Sequence, residues 1–143
     1  MTHSYFEVLR GGINTTYQDL GRRNLYHIGI PFSGAMDNRN YQIANYLVSN
    51  KKNTPTIEFA YQGPLLKFHG KKTYVAITGD VNFKILRKNS KFEKGNCYQT
   101  YCLMNGDEID ILSTNKSVYG YLAVSGGFNV DLFWNSSSTN TKA

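Results

Sequence analysis

Residues 56–87 read TIEFAYQGPLLKFHGKKTYVAITGDVNFKILR. Four short runs rich in β-branched and aromatic residues are separated here by Gln-Gly, His-Gly-Lys-Lys and Gly-Asp, which form tight turns easily. Similar runs occur on both sides of this stretch. The predicted strands are 5–10, 13–18, 56–61, 64–68, 73–78, 81–87, 97–104, 108–112 and 117–124. This regular spacing predicts a mostly β chain, folded as a closed or nearly closed barrel.

One segment departs from the strand pattern and predicts a helix. Residues 38–49 carry apolar side chains at helical spacing, directly after Asp37, which is a good N-cap. The predicted apolar stripe consists of Ile43, Ala44, Leu47 and Val48. We expect a helix of about three turns, near the average length. Asn50 is placed to end it in a left-handed conformation.

The segment around residues 105–112 predicts a turn followed by a half-buried strand. Asn105-Gly106 is typical of a hairpin turn. In the strand 108–112, Ile109 and Ile111 alternate with more polar neighbours. Because successive side chains of a strand point to opposite faces, we expect Ile109 and Ile111 on the buried face.

Length and composition indicate one globular domain. The chain has 143 residues, of which 41% are hydrophobic and 14% aromatic. The polar residues 133–143 have no periodicity, so we expect a frayed tail there. The net charge of +6 is spread over separate turns, and no recognised motif accompanies it. We therefore expect no nucleic-acid partner. The sequence has no apolar run near 18 residues and no signal-like start, and its two cysteines are not expected to bridge, so we also expect no membrane partner and a cytoplasmic location.

The cysteines and histidines do not form a recognisable reactive or metal-binding motif. Cys97 and Cys102 are separated so that they point to opposite faces of one strand, and we expect both to remain reduced. His3, His27 and His69 are isolated from one another. No metal site is therefore expected.

Two polar loops are the strongest candidates for a functional site. In TTYQDLGRR (15–23), Asp19 and Arg22 either pair with each other or present a carboxylate and an anion clamp to a pocket. In PFSGAMD (31–37), Ser33, Gly34 and Asp37 lie where a helix start offers free amide groups. The alternative for the second loop is simple capping of the turn and the helix.

Glu58 raises a separate question, because it lies in the middle of a predicted strand between Ile57 and Phe59. If those two neighbours face the core, Glu58 is exposed to solvent. If the strand lines a cavity, Glu58 is a buried acid or base. The sequence leaves both orientations open.

Several of these segments together resemble a known family. The matching segments, in order, are G-x-x-TTYQDLGR (12–22), GIPFSGAMD (29–37), IANYLVSN (43–50), IEFAYQGPLLKF (57–68), AITGD (76–80) and YLAVSGGF (121–128). The pattern resembles the subunit 2 family of allophanate hydrolase, also called the biotin-dependent carboxyltransferase family, which includes the C subunit of bacterial 5-oxoprolinase. Residues 1–132 resemble only the N-terminal half of that family's domain.

The resemblance implies a cyclophilin-like β-barrel and a hydrolase acting on a cyclic amide. The implied reaction is ATP-dependent opening of 5-oxoproline to glutamate, with ATP bound by this chain or by a partner. The implied partners are a subunit 1-like protein (the B subunit of 5-oxoprolinase), a third subunit and, in a split enzyme, a separate C-terminal half. Two alternatives stay open: half of a biotin-dependent urea or amide carboxyltransferase, and a non-catalytic regulatory binding module.

The resemblance also carries roles to individual positions. The implied catalytic residues are Asp19, Arg22, Ser33, Asp37 and Glu58. The implied substrate-binding residues are Gly34, Asn45 and Thr78. Chemistry at an amide needs oxyanion donors, an anion clamp and a proton-transfer group, which these residue types can supply.

Overall fold

Ten strands and one helix lie in the described part of the computed structural model, which covers residues 4–12, 16–18 (backbone only) and 37–128. The elements are β1 (Tyr5–Arg10), β2 (Thr16–Gln18), α1 (Asn38–Leu47), β3 (Thr56–Ala60), β4 (Leu65–His69), β5 (Lys72–Thr78), β6 (Val81–Leu86), β7 (Phe92–Lys94), β8 (Thr100–Met104), β9 (Glu108–Thr114) and β10 (Tyr119–Val124). The predicted mostly β fold with one main helix is confirmed.

The strands form two antiparallel sheets of five strands each. Sheet 1 has the order β1-β4-β9-β6-β7, and sheet 2 has the order β2-β3-β10-β5-β8. Within the described residues the two sheets stay open and do not close into the barrel that the strand spacing predicted. The chain instead crosses from one sheet to the other, so that the two sheets enclose the core between them.

The main core lies between the two sheets. Its fully buried side chains include Phe59, Leu66, Ile77, Ile109 and Ile111. The prediction that Ile109 and Ile111 share the buried face of their strand is confirmed. A second, smaller core lies on the outer face of sheet 2, where α1 packs. Sheet 2 is therefore a middle layer, and every residue of β3 is buried.

The helix begins after Asp37 as predicted, because the Asp37 carboxylate accepts a hydrogen bond from the Asn40 amide at 3.1 Å. Its buried face differs from the predicted stripe. The buried positions are Tyr41, Ala44, Asn45 and Val48. The predicted Ile43 and Leu47 are only half-buried.

Tertiary contacts explain this rotation of the helix. The Tyr41 ring meets Tyr121 edge-on at a centroid distance of 6.3 Å, and the Tyr41 hydroxyl donates to the Thr54 carbonyl at 2.8 Å. Tyr41 therefore lies under the helix and turns Ile43 outward. The left-handed residue after the helix is Ser49 (φ 60) and not Asn50, which instead uses its side chain for hydrogen bonds.

The Asn105-Gly106 turn forms, but the hairpin predicted from it is wrong. The Asp107 amide donates to the Met104 carbonyl at 3.0 Å, and Gly106 has φ 89, which suits glycine. However, β8 pairs with β5, whereas β9 pairs with β4 and β6. The Gly106 amide bonds instead to Phe68 on β4 at 2.8 Å. The turn thus carries the chain from sheet 2 to sheet 1.

An ion pair between the half-buried Arg87 and the buried Asp107 holds this crossing in place. The Arg87 guanidinium donates to the Asp107 carboxylate at 2.9 Å, and the Lys88 and Met104 amides donate to the same carboxylate at 3.0 and 2.8 Å. Burial alone would raise the pKa of Asp107, but the amides and the guanidinium outweigh it and lower that pKa below its ordinary value. The carboxylate therefore remains ionised at neutral pH.

The remaining points concern a short strand, the two cysteines, the C-terminal tail and membrane-spanning helices. The short strand β7 was not predicted. Its three residues are all exposed, and Phe92 is the one apolar side chain among them, so the run shows no apolar alternation. Cys97 and Cys102 are free thiols, as expected. The predicted tail 133–143 lies outside the described residues. In the described part of the chain, no helix has the length and apolar character needed to cross a membrane.

Candidate functional site

A row of polar side chains crosses the outer face of sheet 2 beneath α1. Glu58 on β3 lies opposite Tyr121 on β10, and Tyr121 lies opposite Thr78 on β5. Residues directly opposite each other in antiparallel strands share one face, with Cβ atoms roughly 5 Å apart. The sheet therefore brings together Glu58 and Thr78, two of the predicted site residues, although they are distant in sequence.

Glu58 and Tyr121 form a buried hydrogen-bonded pair connected to the start of the helix. The Tyr121 hydroxyl donates to the Glu58 carboxylate, and it accepts a hydrogen bond from the Asp37 amide at 2.7 Å. Glu58 is 5% exposed and Tyr121 is 0% exposed. The sequence left open whether Glu58 is exposed or buried, and the structure shows that it is buried although Ile57 and Phe59 face the main core.

The environment keeps the Tyr121 hydroxyl protonated. Burial raises the pKa of Tyr121 well above its ordinary value, and the hydrogen bond to Glu58 raises it further. The Asp37 amide opposes this shift without reversing it. Tyr121 therefore acts as a neutral donor to Glu58 and not as a source of a phenolate.

Asn40 connects this row to the helix and to a second tyrosine. Its side-chain amide donates to the Asp37 carboxylate at 2.7 Å, and its backbone carbonyl accepts from the Thr78 hydroxyl at 2.7 Å. Its side-chain oxygen accepts from the Tyr98 hydroxyl at 2.6 Å. The predicted residues Asp37 and Thr78 are thus linked through Asn40, and the start of α1 is fixed on sheet 2.

Sequence reasoning missed Tyr121, Asn40 and Tyr98. Asn40 occupies the third helical position after the N-cap, where a side chain reaches back to the cap, so the capping pattern could have indicated it. For Tyr121, alternation predicts a shared face with neighbours two residues away, but not its pairing with Glu58. Tyr98 falls inside the predicted strand 97–104, but in the structure it precedes β8 and has a left-handed backbone (φ 64), so strand alternation did not indicate its role.

Asn45, a predicted substrate-binding residue, forms its side-chain hydrogen bonds away from the Glu58 row, and its predicted role stays a prediction. Its side-chain amide donates to the Thr54 carbonyl at 2.9 Å, and its side-chain oxygen accepts from Asn50 at 2.9 Å. It is 3% exposed. Among the described residues, no hydrogen bond joins Asn45 to the Glu58 row, and its contacts hold the loop after α1 against the helix.

The remaining predicted site residues, Asp19, Arg22, Ser33 and Gly34, lie outside the described residues and stay predictions. The described residues on either side of that segment contact the Glu58 row. Thr16 lies opposite Glu58 in the pairing of β2 with β3. The backbone of Asp37 bonds to Tyr121. The chain thus leaves and re-enters the described region beside the Glu58 row.

The start of α1 does not fit a nucleotide phosphate. Helix starts attract phosphate through their free amides, but here the Asn40 amide already donates to the Asp37 carboxylate. That carboxylate would also repel a phosphate. Within residues 4–12, 16–18 and 37–128, no group of three His, Cys, Asp or Glu side chains is placed to hold a metal ion.

The chain is similar in sequence to two kinds of curated protein. It is 34% identical over 140 residues to urea amidolyase of Lachancea kluyveri, an alignment that covers 94% of this chain and 7% of the relative. It is 34% identical over 128 residues to the C subunit of 5-oxoprolinase from Haemophilus influenzae, which covers 90% of this chain and 40% of the relative. The chain therefore spans less than half the length of these curated relatives.

Structural comparison agrees with the sequence comparison. The crystal structure of Kluyveromyces lactis urea carboxylase superposes with a TM-score of 0.81 at 32% identity, covering 94% of this chain and 12% of that one. The family model described as "Carboxyltransferase domain, subdomain A and B" matches residues 28–143. The chain therefore belongs to the carboxyltransferase domain family, subdomains A and B.

Proposed function

We propose that this chain is a component of an ATP-dependent 5-oxoprolinase, which opens the cyclic amide 5-oxoproline to glutamate together with partner subunits. The similarity to the C subunit of 5-oxoprolinase supports the reaction class. The observation that carries the proposal is the line Asp37–Tyr121–Glu58, which anchors the start of α1; in the sequence, this start directly follows the segment with the other candidate residues. The proposed partners are a subunit 1-like protein and a third subunit.

In this proposal the site residues divide into two groups. Asp19, Arg22, Ser33 and Asp37 face the substrate, with Arg22 as the clamp for the 5-oxoproline carboxylate and the acids as proton-transfer groups. Glu58 is 5% exposed, which favours a positioning role through Tyr121 over direct contact with substrate. A displacement of about 1 Å of such a supported group can lower a rate by about 100-fold.

ATP is a co-substrate of the proposed reaction and is assigned to a partner subunit. The carboxylate at the start of α1 argues against a phosphate site on that part of this chain. This chain then supplies groups that bind and orient 5-oxoproline, while the partner delivers the chemical energy of ATP. No step of the reaction is assigned to ATP on the described residues.

The test measures glutamate released from 5-oxoproline by the chain mixed with its companion subunits, with and without ATP. Asp37→Asn keeps an N-cap residue but removes the charge, so we expect kcat to fall about tenfold or more with little change in stability. Tyr121→Phe should lower kcat through misplacement of Asp37. Glu7→Gln and Tyr61→Phe alter exposed side chains and serve as matched controls. Absence of ATP-dependent glutamate from the complete mixture would refute the proposal.

A second candidate is transfer of a carboxyl group from biotin to an amide nitrogen. The similarity to urea amidolyase over 140 residues supports it. Biotin would carry the carboxyl group in that reaction, and Glu58 and Tyr121, which are almost fully buried, would act there by positioning other groups and not by contact with biotin. Carboxylated urea formed with a biotinylated carrier, without glutamate release, would favour this candidate. A third candidate is a non-catalytic regulatory module. It would be favoured if the chain bound a partner protein and Asp37→Asn changed neither that binding nor any activity.

A further inference from the structure

A groove lies along α1, and its lining includes Tyr41 and Asn45 from the buried face of the helix. It encloses about 400 Å³ between the helix and the loop that follows it. The side chains that matter for its chemistry are Arg39, Gln42, Ile43, Tyr46, Lys51 and Lys52. This volume falls within the usual range of binding clefts, roughly 300 to 1,000 Å³.

The charged side chains of this groove are all positive. The ion pairs between described residues involve Arg10, Arg87 and His69, and they leave Arg39, Lys51 and Lys52 without a carboxylate partner in that part of the chain. Three cations beside one concave surface attract an anionic ligand and repel a cationic one. The groove thus selects a ligand by charge.

The groove lining also includes apolar side chains. Tyr46 is 80% exposed although it is a large aromatic residue, and Ile43, which also lines the groove, is half-buried. Tyrosine and arginine are among the residue types that most often dominate binding energy in protein interfaces. A lining that combines exposed tyrosine with arginine is therefore typical of a protein-binding surface.

The floor of the groove is rigid. Tyr41 and Asn45 are almost fully buried, and both donate hydrogen bonds to the Thr54 carbonyl, at 2.8 and 2.9 Å. Asn50 ties the same loop to Val124 on β10 at 2.8 Å. A preformed surface loses little conformational entropy when it binds a partner.

We propose that this groove is a docking surface for an acidic segment of a partner protein, with an apolar side chain of that segment packed on Tyr46. The inference rests on the proposed function in one respect, namely that the enzyme works with partner subunits. A nucleotide fits less well, because the described lining has no glycine-rich turn to cradle a phosphate. The ligand is therefore a carboxylate-rich peptide segment.

The experiment uses the full chain and a fluorescein-labelled peptide, Glu-Glu-Leu-Glu-Phe-Glu-Glu, followed by fluorescence anisotropy. We expect saturable binding that weakens as salt rises. The triple variant Arg39→Glu, Lys51→Glu, Lys52→Glu should weaken binding about tenfold or more. Tyr46→Ala should weaken peptide binding severalfold, because it removes the exposed aromatic ring from the groove. Alanine is a good helix former, so this variant should keep α1 intact.

A matched triple variant controls for overall charge. Lys71→Glu, Lys91→Glu, Lys116→Glu makes the same charge change at exposed turn positions away from the groove lining, and it should change the Kd by less than about twofold. Equal weakening by both triple variants would overturn the proposal, as would absence of saturable binding. Displacement of the peptide by ATP at lower concentration than by unlabelled peptide would assign the groove to a nucleotide instead.

The peptide measurement is independent of catalysis. If glutamate release fails but the groove variants lose the peptide, the docking surface stands and the proposed reaction does not. If glutamate release succeeds and the groove triple variant neither binds the peptide less tightly nor needs more of the partner protein, the docking surface is refuted and the reaction stands.

Discussion

Replacing Tyr121 by phenylalanine tests the buried pair beneath α1. The change removes one hydroxyl that donates to the Glu58 carboxylate and accepts from the Asp37 amide. A hydrogen bond to a charged group contributes about 1.5 to 3 kcal/mol, and one to an amide contributes about 1 kcal/mol. Since both end at the same buried hydroxyl, we expect the free energy of unfolding at pH 7 to fall by about 3 kcal/mol.

The pH dependence gives this prediction a second, independent part. Tyr121 has a folded-state pKa raised above the ordinary value of 10.0, so it stays protonated in the folded chain at pH values where the unfolded chain ionises. Its stabilising contribution is therefore complete below about pH 10 and is lost as pH rises, by at most about 1.4 kcal/mol per pH unit. The variant lacks this loss, and the difference between the two proteins should shrink from about pH 10 to about pH 11.

Urea unfolding followed by circular dichroism measures both parts, with free energies extrapolated to water. Tyr61→Phe is the control, because Tyr61 is 58% exposed, and its effect should stay within about 0.5 kcal/mol. A Tyr121→Phe effect below about 1 kcal/mol at pH 7, or a difference that stays constant over the alkaline range, would refute the assignment of a strong Tyr121–Glu58 hydrogen bond.

Three further predictions concern stability and reactivity. Because the folded-state pKa of Asp107 lies below its ordinary value of 3.8, its contribution is present above about pH 4 and is lost as pH falls; Asp107→Asn should flatten the stability profile between about pH 5 and pH 3 in urea titrations, and an unchanged slope would contradict this. Gly120→Ala places a Cβ 2.5 Å from the Phe59 ring and should cost about 1 to 3 kcal/mol, whereas Gly11→Ala meets nothing within 4 Å and should be nearly neutral in the same unfolding assay. Burial raises the pKa of the Cys97 thiol, so iodoacetamide at about pH 8 should alkylate it more slowly than free cysteine, as followed by mass spectrometry; equal rates would show that the thiol is not protected.

Much of the candidate site could not be predicted because its contacts join distant segments. The N-cap role of Asp37 depends on a neighbour three residues away, and the sequence predicted it correctly. The bond between Tyr121 and Glu58 joins residues 63 positions apart, and no local pattern encodes such a contact. The substrate-binding role of Asn45 stays a prediction, but its contact with Thr54 could not be predicted, because it depends on how the loop after α1 folds back.

The sequence by itself determined the local elements of this protein. The positions of most described strands, the helix Asn38–Leu47 and the alternation of Ile109 and Ile111 follow from periodicity and turn residues, which act over a few neighbours. Those signals also predicted the Asn105-Gly106 turn, but not that the chain changes sheets there, because strand pairing depends on distant partners.

Only the tertiary structure decided which face of each strand meets which layer. Sheet 2 lies between sheet 1 and α1, so both faces of β3 and of most of β10 are buried, and alternation along these strands no longer separates an inner from an outer side. Glu58 is therefore buried even though Ile57 and Phe59 face the main core. Whether a polar residue in such a strand is exposed to solvent or buried in a hydrogen-bonded site depends on what packs over it, and that layer is contributed by another part of the chain.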